Sequence, residues 1–396
     1  MPDPLPLTNF VFRKGKDNMM KWIEQAGGQT SIAAAVAPVI RSLSKNEQYP
    51  LVRFVAGDDT SVSGSASSDT SIIMIDTADI SDLSALCSLL QISLTPGHNA
   101  KKIIVAGLGS FTLTTPGTNS SGKRLLGKIS LVTGGAQGFG EGIARELAAS
   151  GAHVVIADLN LPQAEVVVTS LNAEYGPEAA VALAVDVGQE TSVQTLMENI
   201  VLLFGGLDLL VSNAGVLRAG GLEEMSLSNF EFVTKINYTA FFLVSKYGSR
   251  PMKIQARYSP SYYSDIVQVN SKSGLEGSNR NFAYAGGKFG GIGLVQSFAK
   301  ELVEDRIKVN AVCPGNYYEG PLWSDPEKGL FVQYLKAGKV PGAKTFQEVY
   351  DFYIGKVPMR RGCSPTDVTR AITYCVEQLY ETGQAIPVTG GQNMLN

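Results

Sequence analysis

Residues 129–150 read ISLVTGGAQGFGEGIARELAAS: a β-branched apolar run, a turn rich in glycine, then a helix-like segment. A strand that feeds a helix through such a turn is the opening unit of a nucleotide-binding α/β fold. Gly134, Gly138 and Gly140 let the backbone approach a pyrophosphate, and the free N–H groups at the helix start hold its negative charge. Gln137 and Phe139 stand between these glycines and are assigned to the same cofactor-binding turn. Taken alone, the turn also describes an ordinary strand-to-helix connection, so its surroundings have to decide.

Eighteen residues past Gly140, the second apolar run, VVIADLN, reaches Asp158. A carboxylate there accepts hydrogen bonds from the adenosine ribose hydroxyls and repels a 2′-phosphate, which favours NAD over NADP. Asp186 and Val187 close the third run and are placed at the adenine edge, although an Asp in that position equally caps a helix. Asn213-Ala214-Gly215 follows the fourth run as a small-residue turn, read both as a neighbour of the cofactor and as a stabiliser of the sheet. Strand-like runs at 129–133, 154–158, 180–185, 207–212, 265–270, 308–313 and 385–388 alternate with helical patterns. That alternation predicts an α/β chain whose residues 123–396 form a Rossmann-type doubly wound parallel sheet.

The signatures TGGAQGFG and NAG resemble those of the short-chain dehydrogenase/reductases, and the resemblance spans residues 126–396. Within that span Tyr284 and Lys288 stand four apart, so on a helix they share one face. Tyrosine has an ordinary pKa of about 10. A neighbouring ammonium and an oxidised nicotinamide would favour the phenolate and lower that value. Ser271 lies thirteen residues before Tyr284 at the end of a strand, as the family pattern requires, and its hydroxyl is expected to hold the substrate oxygen. The resemblance further implies that Asn237 is the fourth catalytic member, shaping a proton path through Lys288, and that Pro314-Gly315 begins the loop over the nicotinamide. Asn237 also reads as a helix-interior asparagine bonded to backbone. The implied chemistry is reversible hydride transfer between a secondary alcohol and the nicotinamide of NAD, without a metal.

Three further stretches, NSKSG at 270–274, KVPMRRGC at 356–363 and VTGGQNM at 388–394, together with Asn281, resemble the sorbitol-6-phosphate 2-dehydrogenases within that family. The implied substrate is a polyol or sugar phosphate. Lys272 and Arg280 are candidate ligands of its phosphate, each readable also as a solvated charge, and Asn281 completes the substrate-binding set. Another secondary alcohol or carbonyl is the rival within enzymes, and a non-catalytic NAD-binding sensor or scaffold is the rival outside them. Four intact catalytic residues argue against the latter. Family members form tetramers or dimers, so a homo-oligomer is implied.

Residues 1–122 are predicted to be a small α/β module, with strands at 51–55, 72–75 and 102–105 and a helical pattern over 80–90. Gly57–Asp69 and Thr112–Gly122 have the small, polar composition of flexible connections. The fragment IIVAGLGSF at 103–111 resembles the end of the aldolase-like domain of bifunctional aldolase–dehydrogenase chains, without the histidines that chemistry needs. The chain has 33 basic and 36 acidic residues, which leaves no cationic excess to follow a nucleic acid. Two histidines rule out polyhistidine zinc sites and a serine–histidine triad as main readings. The four cysteines never form a C-x-x-C pair and are read as free thiols. With no apolar run long enough to span a bilayer, no membrane partner and a cytoplasmic setting are expected. The large domain holds every predicted site residue, so a chain starting near Ser121 is expected to fold and react by itself.

Overall fold

The computed structural model describes residues 28–45, 48–57, 72–76, 82–95, 98–115, 122–327, 329–336, 338 and 340–394. Most of the predicted connection 57–69, and residues 116–121 of the second one, lie outside the described residues.

The small unit comprises α1 (Gln29–Leu43), β1 (Leu51–Ala56), β2 (Ile72–Ile75), α2 (Leu83–Ser93), β3 (Lys102–Val105) and β4 (Gly109–Thr114). Its strands lie in the order β1-β4-β3-β2, with β1 and β3 antiparallel to β4 and β2 parallel to β3. Strand β4 corrects one expectation, because Thr112–Thr114 are paired strand rather than loose connection. Phe111 explains it: the ring is fully buried between two partner strands, and the polar threonines continue the ladder outward. The helix predicted at 80–90 runs from Leu83 to Ser93, and the Asp82 carboxylate accepts from the Ala85 N–H at 2.9 Å as its cap. Helix α1 escaped the sequence reading, since its run of alanines has no polar face to mark it. Ile32–Ser42 are buried throughout, between the small sheet and the larger domain.

In the larger domain β5 (Ile129–Thr133), α3 (Gly138–Ala149), β6 (His153–Asp158), α4 (Leu161–Tyr175), β7 (Ala180–Ala184), α5 (Glu190–Phe204) and β8 (Leu209–Ser212) make the first half. The second half holds α6 (Leu227–Thr234), α7 (Ala240–Tyr258), β9 (Ser264–Val269), α8 (Phe282–Leu302) and β10 (Ile307–Pro314). A helical cap follows, α9 (Pro321–Ser324), α10 (Leu330–Lys336) and α11 (Phe346–Gly355), and α12 (Pro365–Glu377) and β11 (Ala385–Val388) close the chain. The seven strands are all parallel in the order β11-β10-β9-β8-β5-β6-β7. Every residue of β5, β8, β9 and β10 is buried, as a sheet covered on both faces demands.

Strand order reverses between β5 and its two neighbours, β6 and β8. Such a switch point opens a crevice at the carboxyl ends of the strands, where ligands of this architecture bind. No helix among the described residues is long and apolar enough to cross a membrane.

Candidate active site

The glycine turn sits at that switch point. Gly134 has φ +65°, and a side chain there would meet the Ala214 Cα at 2.9 Å; at Gly140 one would collide with the Gly134 carbonyl. Gly138 also has a positive φ, +62°, but faces open space. The turn is therefore compressed on its protein side and bare on its outer side, which is the shape of a cradle. Gln137 offers no side-chain cap to α3, so the first-turn amides are left for an anion.

Asp158 stands beside this cradle with both oxygens fixed: Oδ2 accepts from the Ala136 N–H at 3.0 Å and Oδ1 from the Asn160 N–H at 2.9 Å. Asn213 spends its side chain on the turn, donating from Nδ2 to the Thr133 and Gly134 carbonyls at 3.0 and 3.1 Å. Thr133 answers with its hydroxyl oxygen, which accepts from the Asn213 and Ala214 N–H groups. Asp186 accepts from the Gly188 N–H at 2.9 Å, and the N-cap of α5 is Gln189, so the capping alternative is not realised. Val187 is buried beside it. Gly315 closes the crevice from the β10 side, its N–H on the Val388 carbonyl at 2.9 Å and the Gln392 amide filling the space a Cβ would need. The residues present fit a dinucleotide.

Ser271 emerges two residues beyond β9, and Tyr284 and Lys288 lie on successive turns of α8. Ser271 hydrogen-bonds Tyr284, and its oxygen also accepts from the Ser273 N–H at 3.1 Å. Lys288 is buried, its ammonium 5.6 Å from the Tyr284 ring centroid and donating to the Val269 carbonyl at 2.9 Å. Burial brings the Lys288 pKa down to about 8. The lowered pKa expected for Tyr284 involves a bound oxidised nicotinamide, and in the protein by itself the direction is the opposite. Burial pushes the phenol above its usual value, and the opposing influence is the Ser271 hydroxyl rather than the ammonium.

Asn237 occupies a π-helical turn, Lys235–Thr239, between α6 and α7. Its amide clamps one residue, donating to the Val216 carbonyl at 2.7 Å and accepting from the Val216 N–H at 3.0 Å. It bonds backbone, as one of the two readings has it, and lies against Gly215 and Gly287. Asn270 is a residue the sequence reading passed over. Its side chain donates to the Lys288 carbonyl at 2.9 Å and to Gln268 at 2.8 Å, tying α8 to the strand that carries Ser271.

The three substrate candidates differ in freedom. Lys272 is partly buried and has no ion-pair partner among the described residues, whereas Arg280, held at φ +56°, is paired with Glu224. Asn281 occupies the N-cap position of α8 without a side-chain cap bond, its Oδ1 buried and without a hydrogen-bond partner among the described residues.

Residues 128–323 match the family model described as short chain dehydrogenase. The chain is 36% identical over 275 residues to sorbitol-6-phosphate 2-dehydrogenase of Escherichia coli, covering 68% of this chain and all of that one. It is 32% identical over 270 residues to a 3-oxoacyl-acyl-carrier-protein reductase of Aquifex aeolicus, covering 68% of this chain and 98% of the relative. The crystal structure of sorbitol-6-phosphate 2-dehydrogenase from Erwinia amylovora superimposes with a TM-score of 0.61 at 36% identity, over 67% of this chain and 100% of that one. The cradle at Gly134–Gly140, the Ser271, Tyr284 and Lys288 group and these matches agree: the chain belongs to the short-chain dehydrogenases, oxidoreductases that work with a nicotinamide dinucleotide.

Proposed function

We propose that the chain is an NAD-dependent oxidoreductase that interconverts a polyol phosphate and its ketose, specifically sorbitol 6-phosphate and fructose 6-phosphate. The observation that carries this reading is 36% identity across the full length of the Escherichia coli enzyme of that activity.

When bound, NAD supplies the hydride acceptor at its nicotinamide C4. The Ser271 hydroxyl holds the substrate oxygen and Tyr284 takes its proton as the carbonyl forms. The Ser271 hydrogen bond, and the positive charge of an oxidised nicotinamide when NAD is bound, favour the phenolate, while Lys288 stands one helical turn from Tyr284 and Asn237 fixes Val216 at the crevice edge. Asp158 supports NAD over NADP, because its anchored carboxylate accepts ribose hydroxyls and repels a phosphate in their place. Lys272, without an ion-pair partner among the described residues, is the stronger candidate for the phosphate, since Arg280 is already paired with Glu224. Asn281, at the start of the helix that carries Tyr284, belongs to the substrate-binding set of the same reading. A cytoplasmic setting and a homo-oligomer, dimer or tetramer, belong to the same reading.

The test follows NADH absorbance with sorbitol 6-phosphate, free sorbitol and other polyol phosphates, each with NAD and with NADP. Sorbitol 6-phosphate with NAD should give the highest kcat/KM. A panel in which phosphate makes no difference, or in which NADP is preferred, would overturn the reading.

A further inference from the structure

We propose that Tyr317 and Phe139 form an aromatic latch that fastens the helical cap to the nucleotide turn and sets how fast a bound dinucleotide leaves. The two rings lie 5.0 Å apart at 31°, joining the loop after Gly315 to the first turn of α3. Phe139 stands directly between Gly138 and Gly140, so its backbone belongs to the cradle, and its side chain packs against the core beneath the turn.

The neighbouring residue shows what the latch holds. Tyr318 is buried in the cap, with its ring 4.8 Å from Trp323 and 5.7 Å from Phe331. Consecutive tyrosines thus look opposite ways, one into the cap and one onto the turn. Gly320 provides the seat for Tyr317, since a Cβ there would collide with the ring. Tyr317, Gln137, Gly138, Glu141 and Pro321 line one cleft of about 490 Å³. A diphosphate at the Gly138 amide therefore shares its cleft with the Tyr317 ring. Release requires the cap to part from the turn, and parting breaks the ring contact.

The proposal rests on the dinucleotide reading of the cradle and not on the polyol, so an inactive polyol panel leaves it standing. It is tested by stopped-flow fluorescence of NADH release from the full chain, with excess NAD as displacer. An aromatic pair of this geometry corresponds to a release rate raised roughly three- to tenfold in Tyr317→Ala. Phe139→Leu, which keeps apolar volume, should match it, the double variant should release no faster than either single one, and association with Tyr317→Ala should stay within about twofold. Tyr317→Phe should release at the native rate. Unchanged release in Tyr317→Ala and Phe139→Leu, multiplicative effects in the double variant, or fast release in Tyr317→Phe would each overturn the latch.

Discussion

Arg41 donates from Nη1 and Nη2 to the two carboxylate oxygens of Asp208, at 2.9 and 2.8 Å, with neither side chain more than 1% exposed. One residue belongs to α1 of the small unit and the other to the turn that opens β8. Asp208 also accepts from the Ile129 N–H at 2.8 Å and the Gln255 amide at 3.0 Å. Burial by itself would raise its pKa, but the charges of Arg41 and Lys128 and the Arg41 hydrogen bonds hold it below the usual carboxylate range.

Breaking this pair from one side leaves a buried charge bare. Arg41→Met should cost about 3–5 kcal/mol in urea unfolding, and adding Asp208→Asn should recover part of that loss. The expectation that residues from about 121 onward fold alone changes accordingly. A chain starting at Gly122 lacks Arg41 and uncovers Val201 and Ile254, which pack into the small unit's core. It should unfold at markedly lower urea than the full chain. Equal midpoints would mean that the junction contributes nothing.

Asp158 governs the choice of cofactor in the proposed reading. Asp158→Ala removes the ribose acceptor and the charge that opposes a 2′-phosphate, and it also releases the Ala136 and Asn160 amides. NAD binding should weaken and the preference over NADP should narrow, both read as dissociation constants by fluorescence titration. An unchanged NAD to NADP ratio would remove Asp158 from the site.

Tyr284→Phe deletes one oxygen from the group at the crevice. Turnover should fall by roughly two to four orders of magnitude, the scale of a lost general acid–base. NADH binding should persist, since the ring and Lys288 stay in place. Near-native turnover would revive a binding role without catalysis.

The parallel sheet was legible because its central strands are buried on both faces and therefore read as apolar runs, as residues 209–211 do. Ser271, Tyr284 and Lys288 were legible for a different reason: one strand end and one helix face bring them together whatever surrounds them. Less visible was anything decided by distant contact. Helix α1 has the composition of a generic apolar run, and its burial depends on α5 and α7, more than 140 residues later. The upward push on the Tyr284 pKa comes from burial, which spacing does not encode. Asn270 looked like a strand-end residue, and its hold on the Lys288 carbonyl needs the folded register.

Lys272 and Arg280 separate the phosphate reading into two measurable parts. Lys272→Ala should raise KM for sorbitol 6-phosphate roughly tenfold, the scale of one lost charge-assisted hydrogen bond, while leaving KM for free sorbitol alone. Arg280→Ala should change the phosphorylated substrate less, because its guanidinium is already engaged by Glu224. Equal rises on both substrates would place Lys272 in a structural role.

Asp367 links acid stability to the site. Its carboxylate accepts from the Ser364 N–H at 2.9 Å, from the Ser364 hydroxyl at 2.8 Å and from Arg361 at 3.0 Å, completing the capping box of α12. Chiefly through the Arg361 hydrogen bond, its pKa falls to about 2, against an ordinary value of 3.8. A carboxylate depressed in the folded state stabilises it above the unfolded pKa, and that contribution is lost as pH falls through the folded one. Asp367→Asn should therefore cost about 1–2 kcal/mol at pH 7, the size of a lost cap. The gap between variant and parent should close as pH drops from 4 towards 2. Helix α12 leads into β11, whose Val388 carbonyl holds Gly315, so the acid-sensitive cap supports the strand that fixes the crevice wall. Urea midpoints of both proteins at pH 7 and pH 3 decide it: a gap of equal size at the two pH values would show that charge on Asp367 is not what holds the cap.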